Sequence, residues 1–534
     1  MKCPAKGHSD GLGRRAVRKG GLEQQGPAYL PIVHRPLWQL ALVLALAFAS
    51  LQHMSAHRKR TPMSIAAISK RIWSLCHVLR DDGIVYHKYL SELTYLLFLK
   101  VASETGRDDF LPQEYRWNTL LTQPAPGMLS YYRKMLTSLG EDADEEVVRE
   151  IFKFPTTVFQ HEENLRKVVD GINAIDWHEA LSDGLGAVYE SLLQRNASEA
   201  RSGAGQYFTP RALVDAMVKV LSPDLGEIIQ DPAAGTAGFL ISAQAHIKQR
   251  HDNDAYNLNP PHFQAVEIEG DTYRLCLMNM YLHDMQGRVI HGDALTHDID
   301  ELASPSLIFA NPPFGNSAGG ARARLNDLPH PTPNKQMLFL QQIALSLRVG
   351  GRAAVIVPDN VLFENRVGRE LRTWLMSHCN LHTILRLPTG IFYAQGVKTN
   401  VMFFTKVSQT AENATKEIWF YDLRAQMPSF GKTRALTAED FADFVEAFGD
   451  DPLGGSKRKD QGENGRFRKF TREEIAKRND NLDISWLSED EEEVEEGLTE
   501  PEDIAAAILG HLRAALREIE GVDEELADTG EVDA

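Results

Sequence analysis

Short apolar runs alternate with amphipathic segments through the middle of the chain. Each run has the length of a strand and is bounded by polar or turn-forming residues, which predicts buried β-strands. The segments between the runs carry apolar residues at helical spacing. The predicted strands cover residues 227–231, 264–268, 289–293, 306–310, 353–357, 381–387, 399–405 and 418–422. Strands that alternate with helices predict an α/β fold with a doubly wound, mostly parallel sheet.

The segment before these strands has helical spacing and no strand pattern. Residues 63–195 therefore predict a separate, all-helical N-terminal domain. Its apolar positions at helical spacing are Ile65, Ile68, Ile72, Leu75, Leu79, Leu90, Leu93, Tyr95, Leu96 and Leu97. The α/β domain is then expected at 196–430, followed by an extension of mixed helix and loop at 431–487. A basic, glycine-rich linker at 454–469 lies inside that extension.

The last segment, 488–534, begins as an acidic linker and continues into a predicted helical tail. Thr499 and Glu502 form a capping box, and Pro501 lies in the first turn. The apolar stripe along this helix consists of Ile504, Ile508, Leu512, Leu516 and Ile519. A final helix with one apolar face, behind an acidic linker, suggests docking on a partner helix. The alternative is that the helix folds back on its own domain.

Residues 1–62 combine basic clusters with an apolar run over residues 37–51. The run is short for a membrane span and has the character of a signal-peptide core. Three interpretations are open: a secretion signal, a membrane-tethering segment, and an upstream extension that results from a misassigned start codon. The third is favoured, with Met54 and Met63 as plausible true starts.

The charge of the chain is concentrated at its ends. The net charge of the 534 residues is −17, and residues 489–534 contain 18 acidic residues against Arg513 and Arg517. The central part has no basic block, so it would bind a polyanion such as duplex DNA weakly by itself, and a partner would supply the phosphate contacts. The four cysteines form no CxxC pair, which predicts a reducing, cytoplasmic location without disulfides or a zinc site.

The motif with the clearest chemistry follows the strand at 306–310. It reads Asn311-Pro312-Pro313-Phe314. Consecutive prolines end the strand and hold the chain stiffly, because neither has an N–H for a sheet hydrogen bond. An amide side chain and a peptide carbonyl are therefore fixed at the carboxyl end of a strand, where α/β sheets bind ligands. These groups can accept hydrogen bonds from an exocyclic amine, and the aromatic ring can stack on a flat base.

Two loops upstream have the composition of ligand-binding turns. In the loop 203–210, Thr209 is a predicted N-cap and Pro210 the first helical residue, although a Phe-Thr-Pro sequence alone indicates no more than a helix start. The turn at 231–238 is rich in small residues that let backbone amides approach a ligand at a helix N-terminus. The turn has neither the GxGxxG nor the P-loop pattern, so neither a dinucleotide nor a P-loop phosphate site is supported.

Acidic residues follow the second and third predicted strands. Glu267, at the end of the second strand, has the position of an acid that binds ribose hydroxyl groups. Asp293 is predicted to end the third strand and could meet an adenine ring. A solvated surface carboxylate is the alternative for Asp293.

Taken in order, these motifs resemble the modification subunit of type I restriction–modification systems. Members of that family are DNA adenine-N6 methyltransferases with a Rossmann-like domain, and the resemblance covers about residues 63–520. It includes the stretches Arg274–Asn279, Leu387–Gly390 and Gly396–Thr399. Residues 1–62 have no counterpart in it, which favours the misassigned start.

The resemblance implies a cofactor, S-adenosyl-L-methionine, and a set of site residues, with no metal. The implied cofactor-binding residues are Gln206, Tyr207, Phe208, Thr209, Pro210, Arg211, Asp231, Gly235, Thr236, Ala237, Gly238, Glu267 and Asp293. Among them, the 206–211 loop would pack against the cofactor, residues 236–238 would approach its methionine part, and Glu267 would take its ribose hydroxyls. The implied catalytic residues are Asn311, Pro312, Pro313 and Phe314, which would bind and stack a flipped-out adenine.

The resemblance also implies partners. These are duplex DNA, a DNA-reading specificity subunit, a second copy of this chain and a restriction subunit with nuclease and translocase activity, with no membrane. Two alternatives remain open from the sequence. One is a methyltransferase that acts on a protein glutamine amide, since such enzymes also use an Asn-Pro-Pro turn. The other is a non-catalytic, cofactor-binding scaffold.

Overall fold

The structure analysed is a computed structural model. It describes residues 65–80, 86–106, 108–175, 177, 209–316, 327–392, 398–408, 414–425, 427, 430 and 436–487. The N-terminal segment 1–62, the loop residues Gln206, Tyr207 and Phe208, and the C-terminal segment 488–534 lie outside the described residues. Within the described ranges, no helix combines the length and the apolar character needed to cross a bilayer.

The first part of the described chain is helical. Its helices are α1 (Ile65–Arg80), α2 (Tyr86–Glu104), α3 (Trp117–Thr122), α4 (Met128–Asp142), α5 (Glu146–Ile151) and α6 (Glu162–Asn173). Large side chains, among them Trp117, Tyr132 and Phe152, are fully buried in one apolar core. The helices are held together by this core because each presents an apolar face to the others.

The second part is built on one mixed sheet. Its strands are β1 (Ile228–Asp231), β2 (His262–Glu267), β3 (Gly287–His291), β4 (Leu307–Ala310), β5 (Arg352–Pro358), β6 (Cys379–Arg386), β7 (Thr399–Lys406), β8 (Glu417–Asp422) and β9 (Phe467–Thr471). The described strands follow the order β3-β2-β1-β4-β5-β7-β6-β8-β9. Strands β1 to β5 pair in parallel, β7 is antiparallel to β5 and β6, and β9 is antiparallel to β8.

Helices cover both faces of the sheet. The connecting helices are α7 (Arg211–Leu221), α8 (Gly238–Arg250), α9 (Asn253–Leu258), α10 (Gly270–Leu282), α11 (Lys335–Ser346), α12 (Asn360–Phe363), α13 (Val367–His378), α14 (Ala442–Phe448) and α15 (Arg472–Lys477). Alternate residues of β4 enter different cores: Leu307 and Phe309 pack with α7 and α8, and Ile308 and Ala310 pack with α11 and α13. The doubly wound, mostly parallel α/β fold predicted from the sequence is confirmed.

Helix α10 connects the sheet to the helical region. Its Tyr273, Leu275 and Met278 belong to the apolar core of the helical region. Tyr281, near its end, contacts the ring of Phe110 with the centroids 4.7 Å apart. One face of the helix that follows β2 is therefore covered by the N-terminal helices, so the helical region packs beside the edge of the sheet where β2 ends.

Two differences between the predicted and the observed elements change the description of this part of the chain. Strand β9 lies at the end of the stretch predicted as a basic, glycine-rich linker, where Phe467 is buried and pairs with Tyr421 of β8. The third strand ends at His291, so the prediction that Asp293 ends this strand is wrong. The N–H of Gly292 still donates to the Glu267 carbonyl at 3.0 Å, as the last bond between the two strands, and Asp293 lies beyond it.

Candidate active site

The candidate site lies at the carboxyl ends of three neighbouring strands. Strand β1 pairs with β2 on one side and with β4 on the other, with Asp231 opposite Ala265 and Ile229 opposite Leu307. Asp231 and Glu267 are the last residues of their strands, and Asn311 follows the last residue of β4. Because parallel strands end at the same edge of a sheet, residues distant in sequence meet there.

The Asn-Pro-Pro-Phe motif forms a corner directly after β4. Pro312 is buried, and Asn311, Pro313 and Phe314 are half-buried, so part of the corner is accessible. The strand beneath the corner is fixed by a ring stack between Phe309 and Phe239 of α8, with centroids 5.5 Å apart. No described residue donates a hydrogen bond to the Pro312 carbonyl. The corner therefore offers an acceptor and an aromatic surface held by a rigid strand.

The loop before α7 reaches this corner. The Asn311 Nδ2 donates to the Thr209 Oγ1 at 2.9 Å. The prediction that Thr209 caps the helix is wrong: Pro210 is the N-cap residue, and its carbonyl accepts from the N–H groups of Leu213 and Val214. The threonine hydroxyl lies one residue too early to reach the free N–H groups of the helix and instead binds the asparagine amide. Arg211, the last residue of the predicted loop, begins α7.

The turn after β1 has the strained backbone expected of a close-approach loop. Gly235 and Ala237 both have positive φ angles, 53° and 67°. A left-handed backbone is costly for alanine, so the surrounding contacts must hold it. Ala237 is fully buried, and its N–H donates to the Ala234 carbonyl at 2.8 Å. Helix α8 begins at the next residue, Gly238, so its N-terminus faces the carboxyl edge of the sheet.

Glu267 fastens this turn to the neighbouring strand. Its Oε2 accepts from the Gly235 N–H at 2.9 Å, and its Oε1 accepts from the Glu269 N–H at 2.9 Å. A carboxylate has about four lone-pair sites, so acceptor capacity remains for a ligand. Burial raises the pKa of Glu267, and the two backbone hydrogen bonds oppose that rise. The acid predicted to bind ribose hydroxyls thus also shapes the glycine-containing turn.

Asp231 is a second buried carboxylate at the same edge. Its side chain is 1% exposed, and its Oδ1 accepts from the Ala233 N–H at 3.0 Å. Burial raises the pKa of Asp231 to about 7, and the negative charge of Glu267 adds to the rise. Two carboxyl groups without a described cation beside them favour a ligand that carries positive charge.

Asn279 contacts the candidate site, although the sequence analysis gave it no role beyond its place in the stretch Arg274–Asn279. It lies on α10, is 2% exposed, and its Nδ2 donates to the Thr236 carbonyl at 2.7 Å. Within the described residues, its Oδ1 has no hydrogen-bond partner. The available signal was an asparagine between Met278 and Met280, a polar side chain inside an apolar helical run. The hydrogen bond to the Thr236 carbonyl offsets part of the cost of burying this amide.

Two further residues lie near the end of β2. Ile268, directly after Glu267, is 62% exposed, and the sequence analysis did not single it out. Asp293 is half-buried, and its Oδ1 accepts from the Leu295 N–H at 2.9 Å. The preceding Gly292 is bonded to the Glu267 carbonyl, so Asp293 lies beside the same strand end. An exposed apolar side chain beside buried carboxylates offers an apolar contact for one face of a purine ring.

The carboxylates and backbone groups at this edge of the sheet fit S-adenosyl-L-methionine. Its ribose hydroxyls can donate to the Glu267 oxygens, and its positive charges complement Asp231 and Glu267. The turn at 235–238 supplies close backbone approach and a helix N-terminus for a carboxylate. Among the described residues, no group of three or more His, Cys, Asp or Glu side chains could hold a metal ion.

Comparisons with known proteins identify relatives over most of the chain. The N-6 DNA Methylase family matches residues 180–496. The chain is 43% identical over 509 residues to the type I restriction enzyme EcoKI methylase subunit of Escherichia coli K12, covering 87% of this chain and 96% of that one. It is 42% identical to the StySJI methylase subunit of Salmonella typhimurium, covering 87% and 96%.

One solved structure has a fold similar to that of this chain. It concerns complex assembly and conformational transition of a type I restriction–modification system. Its chain is 27% identical to this one, with a TM-score of 0.63, and the match covers 88% of this chain and 99% of that chain.

Proposed function

The chain belongs to the N-6 DNA methylase family and is a type I modification subunit that transfers a methyl group to the N6 amine of adenine in DNA, and we propose that this transfer occurs at the Asn311–Phe314 corner. The observation that carries the proposal is the position of Asn311. Its amide stands at the carboxyl end of β4, two strands from Glu267, and its Nδ2 is already engaged by Thr209.

The corner makes the adenine amine reactive by accepting hydrogen bonds from its N–H groups. An adenine amine is a poor nucleophile because its lone pair is delocalised into the ring. Hydrogen bonds from the amine to Asn311 Oδ1 and to the Pro312 carbonyl favour a tetrahedral nitrogen, whose lone pair is then available. Because the residues are fixed before the substrate arrives, the cost of orienting the amine is small.

The target adenine must leave the duplex to reach this corner. Extruding a base costs a few kcal/mol. Phe314 is half-buried against the core of the sheet, so its ring is held on one side and available on the other. Stacking of the extruded base on this ring offsets part of the cost of extrusion.

Phe314→Ala is expected to lower the rate of methylation by about 10- to 100-fold, since base–aromatic stacking contributes roughly 1–3 kcal/mol. The change leaves Asn311 and the cofactor edge intact, so the affinity for S-adenosyl-L-methionine stays within about twofold. Phe314→Tyr keeps the ring and is the matched control. Steady-state methylation of a duplex oligonucleotide measures the effect. Wild-type turnover in Phe314→Ala would contradict the stacking role.

The cofactor is proposed to lie across the ends of β1 and β2. Glu267 holds its ribose hydroxyls, Ile268 contacts its adenine, and Asp231 faces its positive charge. The turn at 235–238 approaches its methionine part, with the 206–211 loop and Asp293 completing the site. When bound, S-adenosyl-L-methionine supplies an electrophilic methyl group carried on a sulfonium.

Asn279→Ala is expected to weaken S-adenosyl-L-methionine binding by about tenfold, because it removes the donor that fixes the Thr236 carbonyl. The matched control is Asn400→Ala: Asn400 is also buried and donates at 2.7 Å, but to Asp359 near β5. The control is expected to lose similar stability and to keep wild-type cofactor affinity. Titration calorimetry on both variants measures the difference, and equal affinities would remove Asn279 from the site.

Partners are proposed to supply sequence recognition and phosphate contacts. The chain carries a net charge of −17 and no basic block in its centre, which supports a separate specificity subunit that reads duplex DNA. A second copy of this chain and a restriction subunit complete the proposed complex. The domain division proposed here places the helical domain at 63–195, the methyltransferase domain at 196–430 and partner docking at 488–534.

The proposed function is tested with the full chain and its specificity subunit. Radiolabelled S-adenosyl-L-methionine is incubated with duplex oligonucleotides from the host genome, and digested nucleosides are analysed. Label in N6-methyladenine is the expected result. Label in protein glutamine would support the alternative amide substrate, and no transfer at all would support a non-catalytic scaffold. Either outcome overturns the proposal.

A further inference from the structure

The side chain of Arg424 joins several strand ends at the edge of the sheet that contains the Asn311 corner. Strands β5, β6 and β8 run in the same direction as β4, so they end at this edge, and the antiparallel β7 begins there. Arg424 lies just beyond the end of β8. Its guanidinium reaches residues that follow β5 and β6 and the first residue of β7, so it contacts three other segments of the chain.

All three nitrogens of this guanidinium are engaged. Nη1 and Nη2 of Arg424 donate to the two Asp359 carboxylate oxygens at 3.0 and 2.9 Å. Nε donates to the Leu387 carbonyl at 3.1 Å, and Nη2 also donates to the Thr399 carbonyl at 3.2 Å. Asp359 in turn accepts from the Asn400 Nδ2 at 2.7 Å. Because a guanidinium is a rigid planar fork, these contacts fix the segments relative to one another.

The strand ends joined in this way lie on the target side of the proposed site. The sheet order places β1 and β2, the strands of the proposed cofactor site, on one side of β4, and β5, β7, β6 and β8 on the other. The cofactor approaches Asn311 from the first side, so the second side is left for the extruded base. Leu387, Ile391 and Phe392, which follow β6, are buried in the same apolar core against which Phe314 packs.

We propose that Arg424 is a positioning residue for methyl transfer, which holds the ends of β5, β6 and β7 in the arrangement that bounds the extruded adenine beside Asn311. The Arg424 side chain is 3% exposed and the Asp359 side chain 18%. A buried ion pair contributes little net stability, because desolvation opposes the attraction, but its bidentate geometry is specific. This inference rests on the proposed methyl transfer at the corner and extends it to the neighbouring strand ends.

A second buried fork of the same design lies at the opposite edge of the sheet and provides a matched control. Arg352 begins β5, and its Nη1 and Nη2 donate to the two Glu227 carboxylate oxygens at 2.7 and 2.8 Å. Its Nε and Nη2 donate to the carbonyls of Leu221 and Ser222 at 2.8 and 3.0 Å. The two forks share their bonding pattern and differ in the edge at which they lie.

The test compares Arg424→Lys with Arg352→Lys, each in the full chain with its specificity subunit. Lysine keeps the charge and loses the fork, so both variants are expected to lose similar stability. We expect Arg424→Lys to lower the single-turnover rate of methylation by about 10- to 100-fold, because a small displacement of the reacting groups is that costly. Its Kd for S-adenosyl-L-methionine is expected to stay within about twofold of wild type. Arg352→Lys is expected to keep the rate within about threefold.

Base extrusion is measured separately with 2-aminopurine in place of the target adenine, since the fluorescence of this base rises when it leaves the stack. With saturating protein, Arg424→Lys is expected to give a smaller rise than Arg352→Lys. A role in stability alone would lower the signal of both variants equally, so this readout distinguishes positioning of the base from loss of folded protein.

The outcomes separate this inference from the function on which it rests. Equal rates in the two lysine variants, or a wild-type rate in Arg424→Lys, overturn the positioning role and leave the proposed function intact. Loss of S-adenosyl-L-methionine affinity in Arg424→Lys alone overturns it as well, since the fork would then act on the cofactor side. An inactive wild-type complex overturns the proposed function together with this inference. If Arg424→Lys does not fold, Asp359→Asn and Glu227→Gln are compared by the same criteria.

Discussion

Asn311→Ala is expected to lower kcat for methylation by about 10²- to 10³-fold, the usual effect of removing one preorganised polar group from a transition state. The alanine lacks the oxygen that accepts from the amine, so the nitrogen lone pair stays in the ring. The fold is expected to persist, because Asn311 is half-buried and its side chain makes one hydrogen bond to a described residue, Thr209. Losing this hydrogen bond is expected to lower the free energy of unfolding by about 1 kcal/mol.

The control for this experiment is Asn253→Ala. Asn253 is an exposed asparagine that begins α9, before β2, away from the carboxyl edge of the sheet. Single-turnover rates are measured at saturating S-adenosyl-L-methionine with the specificity subunit present. Asn311→Ala with a rate like that of Asn253→Ala would show that the amine is activated elsewhere.

Asp231→Asn is expected to stabilise the cofactor-free protein at pH 8 by roughly 2–4 kcal/mol. Asp231 is 1% exposed, and burial raises its pKa from 3.8 to about 7. A raised pKa means that the folded state favours the protonated acid. The stability that this proton contributes is complete below about pH 4 and is lost as the pH rises through 7. Asparagine keeps an acceptor for the Ala233 N–H and never ionises.

Urea unfolding of wild type and Asp231→Asn between pH 5 and pH 8 measures this effect. The advantage of the variant is expected to shrink as the pH falls. Asp254→Asn, at an exposed position, is the control and is expected to stay within about 0.5 kcal/mol of wild type. Asp231→Asn is also expected to bind S-adenosyl-L-methionine less tightly, since a carboxylate kept at a cost in stability is typical of a functional site. Equal stability at pH 8 would contradict the raised pKa.

The parts of the fold that sequence predicted are those set by local pattern. The run Leu307–Ala310 is apolar on both faces, and the buried strand predicted there is observed. The turns after it and after Asp231 contain proline or small residues that end strands for steric reasons. A helix was also predicted to begin in the loop before β1, and α7 begins at Arg211, one residue after the predicted first residue Pro210.

The parts that sequence did not predict depend on contacts between distant residues. Strand β9 has a half-buried pattern in a glycine-rich context, and it is a strand because it pairs with β8. Thr209 has the local features of a helix cap, but its hydroxyl binds an amide that lies 102 positions away. Asn279 looks like an interruption of an apolar helix until the Thr236 carbonyl is seen beside it. Spacing along the chain contains no information about such partners.

The measurement that tests the central claim most directly is a map of methylated adenine in the host genome. Single-molecule sequencing is performed on the parent strain, on a strain without this gene, and on a strain that carries Asn311→Ala. N6-methyladenine at a defined sequence is expected in the parent alone, with restoration by the wild-type gene. An unchanged map after deletion, or full methylation by Asn311→Ala, would contradict the claim that this corner methylates adenine.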